Sequence, residues 1–449
     1  MMKQYDVIVI GSGMSGMTVA NKCASKGLKV AVTDELPYGG TCALRGCDPK
    51  KIIIGATEVR DFAQRLAGKG IDTVPEVNWK DVMAFKQEFV NAMPGKIEKG
   101  YKHNDIDTYH GAARFISNDS VEIESQVLKG DKIVIATGAR SRTLTFEGGN
   151  YALTSTDFLN LKELPKSMIF IGGGYIAFEF AHIARQCGAE VTIVHRGPRP
   201  LENFDKDIVQ HLSEATQKMG IKLVLQTNVT GIKKETKGFT VVGEKNGSEV
   251  EFMAEAVFNS SGRVPHINDL DLKAGSVASN ERGIEVNEFL QSTANPNVYA
   301  AGDAADSNGL PLTPVAVYEG HIIASNIIKG NSRKAEYPPM PSVVFTLPPM
   351  ASVGLTEEDA KKTGMNVKVN SKAVPEWFNA KRLNTEEYAF KTIIDTESGT
   401  LVGAHLIGPG VEETINFFSL AIYKSIPVQD LKKMIYAYPT MGSDITSML

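Results

Sequence analysis

Tyr5-Asp6-Val7-Ile8-Val9-Ile10-Gly11-Ser12-Gly13-Met14-Ser15-Gly16 begins a stretch that continues through Leu28–Thr33 to Asp34. The β-branched run before the glycines predicts a strand buried in a parallel sheet. After the glycines come a helix to about Lys26 and a second strand, Leu28–Thr33, that ends on an acid. Strand, G-x-G-x-x-G, helix, strand and acid stand in the order a dinucleotide site requires. Gly11, Gly13 and Gly16 permit a tight turn and a close approach of backbone to a pyrophosphate at the helix N-terminus. Asp34 is placed to accept hydrogen bonds from an adenosine ribose.

The pattern recurs at Ser167–Ile171, Gly172-Gly173-Gly174-Tyr175-Ile176-Ala177, a helix to about Gln186, and the strand Glu190–Val194. Gly172, Gly174 and Ala177 take the three small positions. Two such units imply two dinucleotides, a flavin and a nicotinamide. Asp34 stands 23 residues beyond Gly11, and the same step from Gly172 reaches His195, followed by Arg196 and Arg199. An acid at this place favours a free 2′-hydroxyl, and arginine a 2′-phosphate. The second nucleotide is therefore expected to be NADPH rather than NADH. Asn259–Pro265, with Gly262 and Arg263, closes the second unit. Short strands and turns follow, and the end of the chain is helical around Glu412–Ser425 and Val428–Ile435.

The remaining composition narrows the class. The chain has 449 residues, 48 Lys+Arg against 52 Asp+Glu, and a net charge of −4. At roughly 150 residues per domain that length suggests about three domains. The balanced charge provides no basic footprint for nucleic acid. No run approaches the roughly 20 apolar residues that span a bilayer, and the start, Met1-Met2-Lys3-Gln4-Tyr5, has no secretory pattern. Four cysteines cannot form a secreted disulfide scaffold. A cytoplasmic enzyme is the expectation.

Two of those cysteines, Cys42 and Cys47, lie in Gly39-Gly40-Thr41-Cys42-Ala43-Leu44-Arg45-Gly46-Cys47-Asp48-Pro49-Lys50-Lys51. No second cysteine pair or spaced histidine pair completes a zinc tetrahedron. A cytosolic pair is more often catalytic than structural. Asp48 suits an N-cap and Pro49 a first helical position. That arrangement would put Cys47 at the positive end of a helix dipole, where a thiolate is stabilised. Cys23 and Cys187 fall in the two nucleotide-unit helices and read as buried, inert thiols.

From about Asp6 to Thr440 the chain resembles the class I pyridine nucleotide-disulfide oxidoreductases, the family of glutathione reductase, dihydrolipoamide dehydrogenase and mercuric reductase. The motifs that carry the resemblance are GGTC-x4-C-x-P, Lys132–Gly138, Gly302-Asp303, Leu312-Thr313-Pro314-Val315-Ala316, Pro341–Thr346 and Val353–Glu358. It implies an α/β fold of two Rossmann-type domains, for FAD and NAD(P), with an α+β C-terminal dimerisation domain. The implied division is 1–150 for FAD and the cysteine pair, 151–268 for NAD(P), 269–337 for a return to the FAD domain, and 338–449 for dimerisation. By this similarity Cys42 and Cys47 form a disulfide in the oxidised protein. Cys47 faces the flavin as a thiolate, and Cys42 exchanges with the acceptor. Lys50 or Lys51 approaches the flavin and pairs with Glu179. Gly40, Thr41, Thr137, Gly138, Asp303, Thr313 and Ala316 contact the flavin, and the molecule is a homodimer.

The departures are as informative. Relatives acting on glutathione or dihydrolipoamide carry a C-terminal histidine, held by glutamate, as general acid/base. Here Tyr438 and Ser443 take those places, and a phenol with an ordinary pKa near 10 cannot replace imidazole as a neutral-pH shuttle. Asn21 and His321 stand where glutathione reductases use arginines against the substrate carboxylates. Mercuric reductases add a C-terminal cysteine pair, whereas the last cysteine here is Cys187. Coenzyme A disulfide reductases share the tyrosine but use a single cysteine. The expected activity is transfer of electrons from NADPH through flavin and Cys42–Cys47 to a small oxidised acceptor, a disulfide other than glutathione disulfide. The alternatives are direct reduction of quinones, metal ions or oxygen, and a redox-sensing FAD-binding interaction protein.

Overall fold

In the computed structural model, which describes residues 2–449, Lys3–Ile10 forms a strand paired in parallel with Val30–Asp34 and with Gln126–Ile135. Its side chains alternate between two cores. Val7 and Val9 join Val19, Ala20 and Val32 with Ile322 and Ile323, while Ile8 and Ile10 join Phe115, Leu128, Ile133 and Ile284. Burial on both faces is what a continuous apolar run requires, and each such side chain contributes about 1.5–3 kcal/mol. The sheet order is Asp107–His110, Val30–Asp34, Lys3–Ile10, Gln126–Ile135, Ser120–Ile123, Ala113–Ser117. Val298–Ala300 also pairs in parallel with Gln126–Ile135. The helix Met14–Ala24 ends before the expected Lys26, because the chain turns through Gly27 at φ +82°.

This sheet belongs to a compact unit made of the chain up to Lys50, Ala84–Arg142 and Arg263–Tyr337. A second unit comprises Lys51–Met83, Thr143–Gly262 and Pro338–Leu449. The contacts thus group 143–262 with the C-terminal segment, and the first unit resumes at Arg263. The crossing from one unit to the other falls within the helix Cys47–Arg65.

The second unit repeats the parallel design with Lys222–Val224, Glu190–Val194, Ser167–Ile171 and Ala256–Asn259. Phe158, Phe170, Phe180 and Phe258 pack within its core, the first and third stacked at 4.3 Å. An antiparallel sheet of Asn228–Lys234, Phe239–Lys245 and Ser248–Ala254 accompanies it. The C-terminal segment forms a five-stranded antiparallel sheet in the order Ser342–Val344, Met350–Gly354, Leu401–Ile407, Ala389–Asp395, Val367–Ala373. Helix Val411–Tyr423 buries Val411, Ile415 and Phe418 in the core of that segment. Lys391, 1% exposed, is neutralised by Asp205, Asp207 and Glu357 at 3.1, 2.7 and 2.7 Å. An ammonium buried that deeply requires such partners. Among the described residues no helix is long and apolar enough to cross a membrane.

Candidate active site

In the first unit, Gly11 turns at φ +105°, and a Cβ on it would lie 2.3 Å from the Ala136 carbonyl oxygen. Only glycine fits that approach. Gly13 caps the helix Met14–Ala24, and Gly16 lies in its first turn. Asp34, at the end of its strand, accepts from the Ser12 amide at 2.8 Å and the Ser12 hydroxyl at 2.6 Å. The Ser12 hydroxyl in turn accepts from the Gly39 amide at 3.0 Å, which ties the first turn to the segment holding Gly40 and Thr41. Ser12 was not singled out by the sequence reading. It sits between the glycines, and only the fold shows that it grips the acid.

Thr137 and Gly138 follow the strand Gln126–Ile135, and the Thr137 amide lies beside Gly11. The Thr137 hydroxyl is buried without a partner among the described residues. An orphaned polar atom beside a close-approach glycine is what a bound polar cofactor would satisfy, so these residues fit FAD. Gly302 and Asp303 form a short turn of helix. Burial raises the Asp303 carboxyl, against the pull of the Arg263 guanidinium. Arg263 falls in the first unit, and its guanidinium also bonds the Ala139 carbonyl. Glu319, 1% exposed, braces this corner by accepting from the Gly302 amide, Ser307 and Tyr337, each at 2.6 Å. Its helical spacing from Thr313 and Ala316 was the signal available in sequence.

Cys42 lies in the short helix Gly40–Arg45, and Cys47 is the first residue of the helix Cys47–Arg65. That start corrects the expected cap: Asp48 is inside the first turn, and its Oδ1 lies 4.0 Å from the Cys42 Sγ as acceptor. Both cysteines are thiols and are hydrogen-bond partners. Cys47 Sγ is also 3.6 Å from the hydroxyl of Thr313, the first residue of the helix Thr313–Lys329, which carries Ala316 in the same first turn. The thiolate therefore sits at the positive ends of two helices. The hydrogen bond from Cys42 pulls the Cys47 thiol down to about 6, helped by Thr313 and the Lys50 charge. Cys42 moves the opposite way through its bond to Cys47, its burial and the Asp48 carboxylate. These interactions favour the charge on Cys47 and the proton on Cys42.

The two lysines separate. Lys50 acts on the Cys47 thiol, whereas Lys51 bonds Glu58 at 2.6 Å and lies over the Phe345 ring. Glu179, 2% exposed, accepts from the Phe345 amide at 2.9 Å. Cys23 is fully buried in its helix, and Cys187 is the partly buried C-cap of the helix Tyr175–Gln186. Burial raises both of these thiols to about 12.

In the second unit Gly172 repeats the first turn at φ +110°, with a Cβ 2.4 Å from the Ser260 carbonyl oxygen. Gly174 caps the helix that carries Ala177 and Glu179. Gly262, at φ +131°, is the last residue of the adjoining segment. His195 Nδ1 accepts from the Gly173 amide at 3.1 Å, so the proton sits on Nε2, which faces the Arg199 carbonyl at 2.9 Å. The Arg199 guanidinium is spent on the Glu202 and Phe204 carbonyls of its own loop. Arg196 is exposed beside them.

Tyr438 is 74% exposed, with its ring 6.4 Å from that of Phe378. Ser443 closes a capping box with Thr440. The neighbouring Asp444 accepts from Asn379 and Tyr388, so no carboxylate orients the phenol. Asn21 bonds the Met17 carbonyl and Asn104. His321 is held below its ordinary pKa by burial and by Lys22 and Arg333. Among the described residues no group of three His, Cys, Asp or Glu could hold a metal ion.

The chain matches the pyridine nucleotide-disulphide oxidoreductase model over residues 5–320 and the dimerisation domain of the same family over residues 340–449. It is 31% identical over 446 residues to a glutathione reductase of Burkholderia cepacia, covering 99% of this chain and 98% of that one. A dihydrolipoyl dehydrogenase of Thermus scotoductus is 32% identical over 449 residues, covering 99% and 96%. Among solved structures, the Cu(II) complex of the HOCl-induced flavoprotein disulfide reductase RclA from Escherichia coli superposes with a TM-score of 0.88. That likeness is at 27% identity and covers 100% of this chain and 99% of the other.

Proposed function

Because the chain belongs to the pyridine nucleotide-disulphide oxidoreductases, we propose that it draws electrons from NADPH and delivers them through Cys47 and Cys42 to a small disulfide other than glutathione disulfide. The observation that carries this reading is the thiol pair itself, two hydrogen-bonded cysteines with the Cys47 sulfur at the N-termini of two helices. FAD, held by the first glycine turn, Thr137 and Asp303, supplies the two-electron relay between nucleotide and thiols. Lys50 is the lysine of this centre, since Lys51 is committed to Glu58. Exposed Arg196 meets the 2′-phosphate. Glutathione disulfide is disfavoured because Asn21 and His321 offer its carboxylates no charged anchor.

We assign the dimerisation domain to a homodimer working in the cytoplasm, with Tyr438 supplied to the partner's thiol pair as a hydrogen-bond donor. Loss of one transition-state donor costs up to about 10²–10³ in rate. Tyr438→Phe should therefore slow acceptor reduction and leave flavin reduction by NADPH unchanged. The deciding experiment follows NADPH oxidation with uncharged disulfides, quinones and Cu(II) as acceptors, for wild type and Cys42→Ser. Disulfide reduction that disappears in Cys42→Ser supports the reading. Turnover with Cu(II) alone would replace it with metal-ion reduction, the second reading, which the Cu(II) complex of the structural relative favours.

A further inference from the structure

The thiol that attacks the acceptor must lose a proton, and the chain lacks the histidine and glutamate found in relatives acting on glutathione or dihydrolipoamide. Tyr438 has no carboxylate behind it, and Ser443 is engaged in a cap. Among the described residues, the ionisable group in contact with the Cys42 thiol, apart from Cys47, is Asp48, with Oδ1 4.0 Å from Sγ. Its place is set by helix geometry. As the second residue of the helix Cys47–Arg65, Asp48 cannot cap that helix and projects toward the preceding short helix that carries Cys42. No ion pair neutralises it among the described residues, and partial burial raises its carboxyl above the ordinary range. A carboxylate so held is a better base than one in water.

We infer that Asp48 is the proton acceptor and donor for Cys42, taking the part of the absent histidine from inside the redox motif itself. The inference rests on the disulfide-reductase reading above. The reduced centre begins as Cys42 thiol, Cys47 thiolate and Asp48 carboxylate. As the Cys42 sulfur attacks one sulfur of R–S–S–R, Asp48 takes the thiol proton, the Cys42–S–R bond forms, and the acceptor S–S bond breaks. Asp48 returns the proton to the departing thiolate, releasing the first RSH. The Cys47 thiolate then attacks Cys42, forms the Cys42–Cys47 disulfide, and expels the second thiolate, which is protonated from water. Two electrons leave the dithiol, and one disulfide becomes two thiols.

The test uses flavin-loaded enzyme reduced by two electrons and mixed rapidly with bis(2-hydroxyethyl) disulfide from pH 5 to pH 9. In the wild type the rate should level off above the Asp48 titration. In Asp48→Asn it should fall about tenfold to a hundredfold at pH 6 and climb with pH as the free thiol ionises, meeting wild type near pH 9. Asp48→Glu should restore part of the acid-side rate. Coincident wild-type and Asp48→Asn profiles would overturn the inference, including the case in which Asp48 only stabilises the helix start, which would appear as a shifted Tm with an unchanged profile. A second measurement does not depend on the acceptor. Iodoacetamide alkylation of Cys42 in the reduced protein, mapped on peptides, should have its pH midpoint lowered by about one unit in Asp48→Asn, since one unit charge about 4 Å away is removed. An unmoved midpoint would show that Asp48 does not act on Cys42. If wild type fails to reduce the disulfide while the midpoint moves as expected, the acceptor class is wrong and the Asp48–Cys42 coupling stands.

Discussion

The two glycine turns share the backbone conformation of their first glycine and differ in what stands at the end of the following strand. Gly11 and Gly172 take φ values of +105° and +110°, and a Cβ on either would strike a carbonyl oxygen at 2.3 or 2.4 Å. In the first turn the strand ends on Asp34, whose carboxylate is held by Ser12. In the second the strand leads to His195, whose imidazole accepts from Gly173 and leaves Arg196 exposed. Shape is thus dictated by packing and is common to both. The two turns differ in the side chains at the strand end, where Asp34 and His195 are held by hydrogen bonds and Arg196 is exposed.

The comparison breaks most decisively at the glycines. Gly11→Ala combines left-handed strain of about 1–2 kcal/mol with an overlap of about 1–3 kcal/mol, so the purified protein should lose its flavin. Gly172→Ala should keep flavin and lose NADPH affinity. Flavin absorbance per chain and the KM for NADPH measure both, and equal flavin loss in the two variants would show that the turns are not separate sites.

Next in size is the nucleotide preference. Removing a charge-assisted contact costs about 1.5–3 kcal/mol, so Arg196→Ala should lower kcat/KM for NADPH roughly tenfold to a hundredfold and leave NADH unchanged. Arg199→Ala should disturb the loop more than the preference, because its guanidinium already bonds two loop carbonyls. A wild type that prefers NADH would end this reading.

A pH effect separates the helices behind the turns. The second helix buries His182, which accepts from the Leu347 amide and bonds Thr216, and burial pushes its pKa down to about 3. The folded state therefore holds it neutral while the unfolded chain titrates near 6.5. Its stabilisation is complete above pH 6.5 and declines by roughly 1.4 kcal/mol per unit as pH falls toward 3. Urea melts at pH 7.5 and 5.5 should show that loss in wild type and less of it in His182→Gln.

The smallest expected effect is that of Ala177→Gly at the third small position. A Cβ at Gly16 would sit 2.0 Å from the Gly11 carbonyl oxygen, whereas Ala177 already carries its methyl fully buried. Ala177→Gly should cost only about 0.5–1 kcal/mol, and Gly16→Ala clearly more, as read from thermal melts of the two variants.

Much of this was legible because local pattern and tertiary demand coincide. The strand Ser167–Ile171, the helix ending at Gln186 and the strand Glu190–Val194 have the bounds read from the sequence. The cysteine motif also announced its chemistry. What escaped depended on single-residue phase or on distant partners. Asp48 read as a cap, and a helix starting at Cys47 turned it toward Cys42. The charge of Arg263 acts on Asp303, 40 residues along the chain, which no local pattern announces. Lys50 and Lys51 are adjacent and chemically alike, and the fold sets Lys51 on Glu58 and the Lys50 charge on the Cys47 thiol.

The sequence by itself determined the two parallel sheets, the paired dinucleotide turns and the presence of a dithiol, because periodic burial and glycine sterics are local constraints. The sequence also pointed to Cys47 as the thiolate, and the tertiary structure added which groups stabilise it and which carboxylate faces Cys42. Thr313 lies 266 residues from Cys47, and the charge on a thiol is set by what surrounds it in space. No spacing along the chain encodes a contact that the fold alone brings within 4 Å.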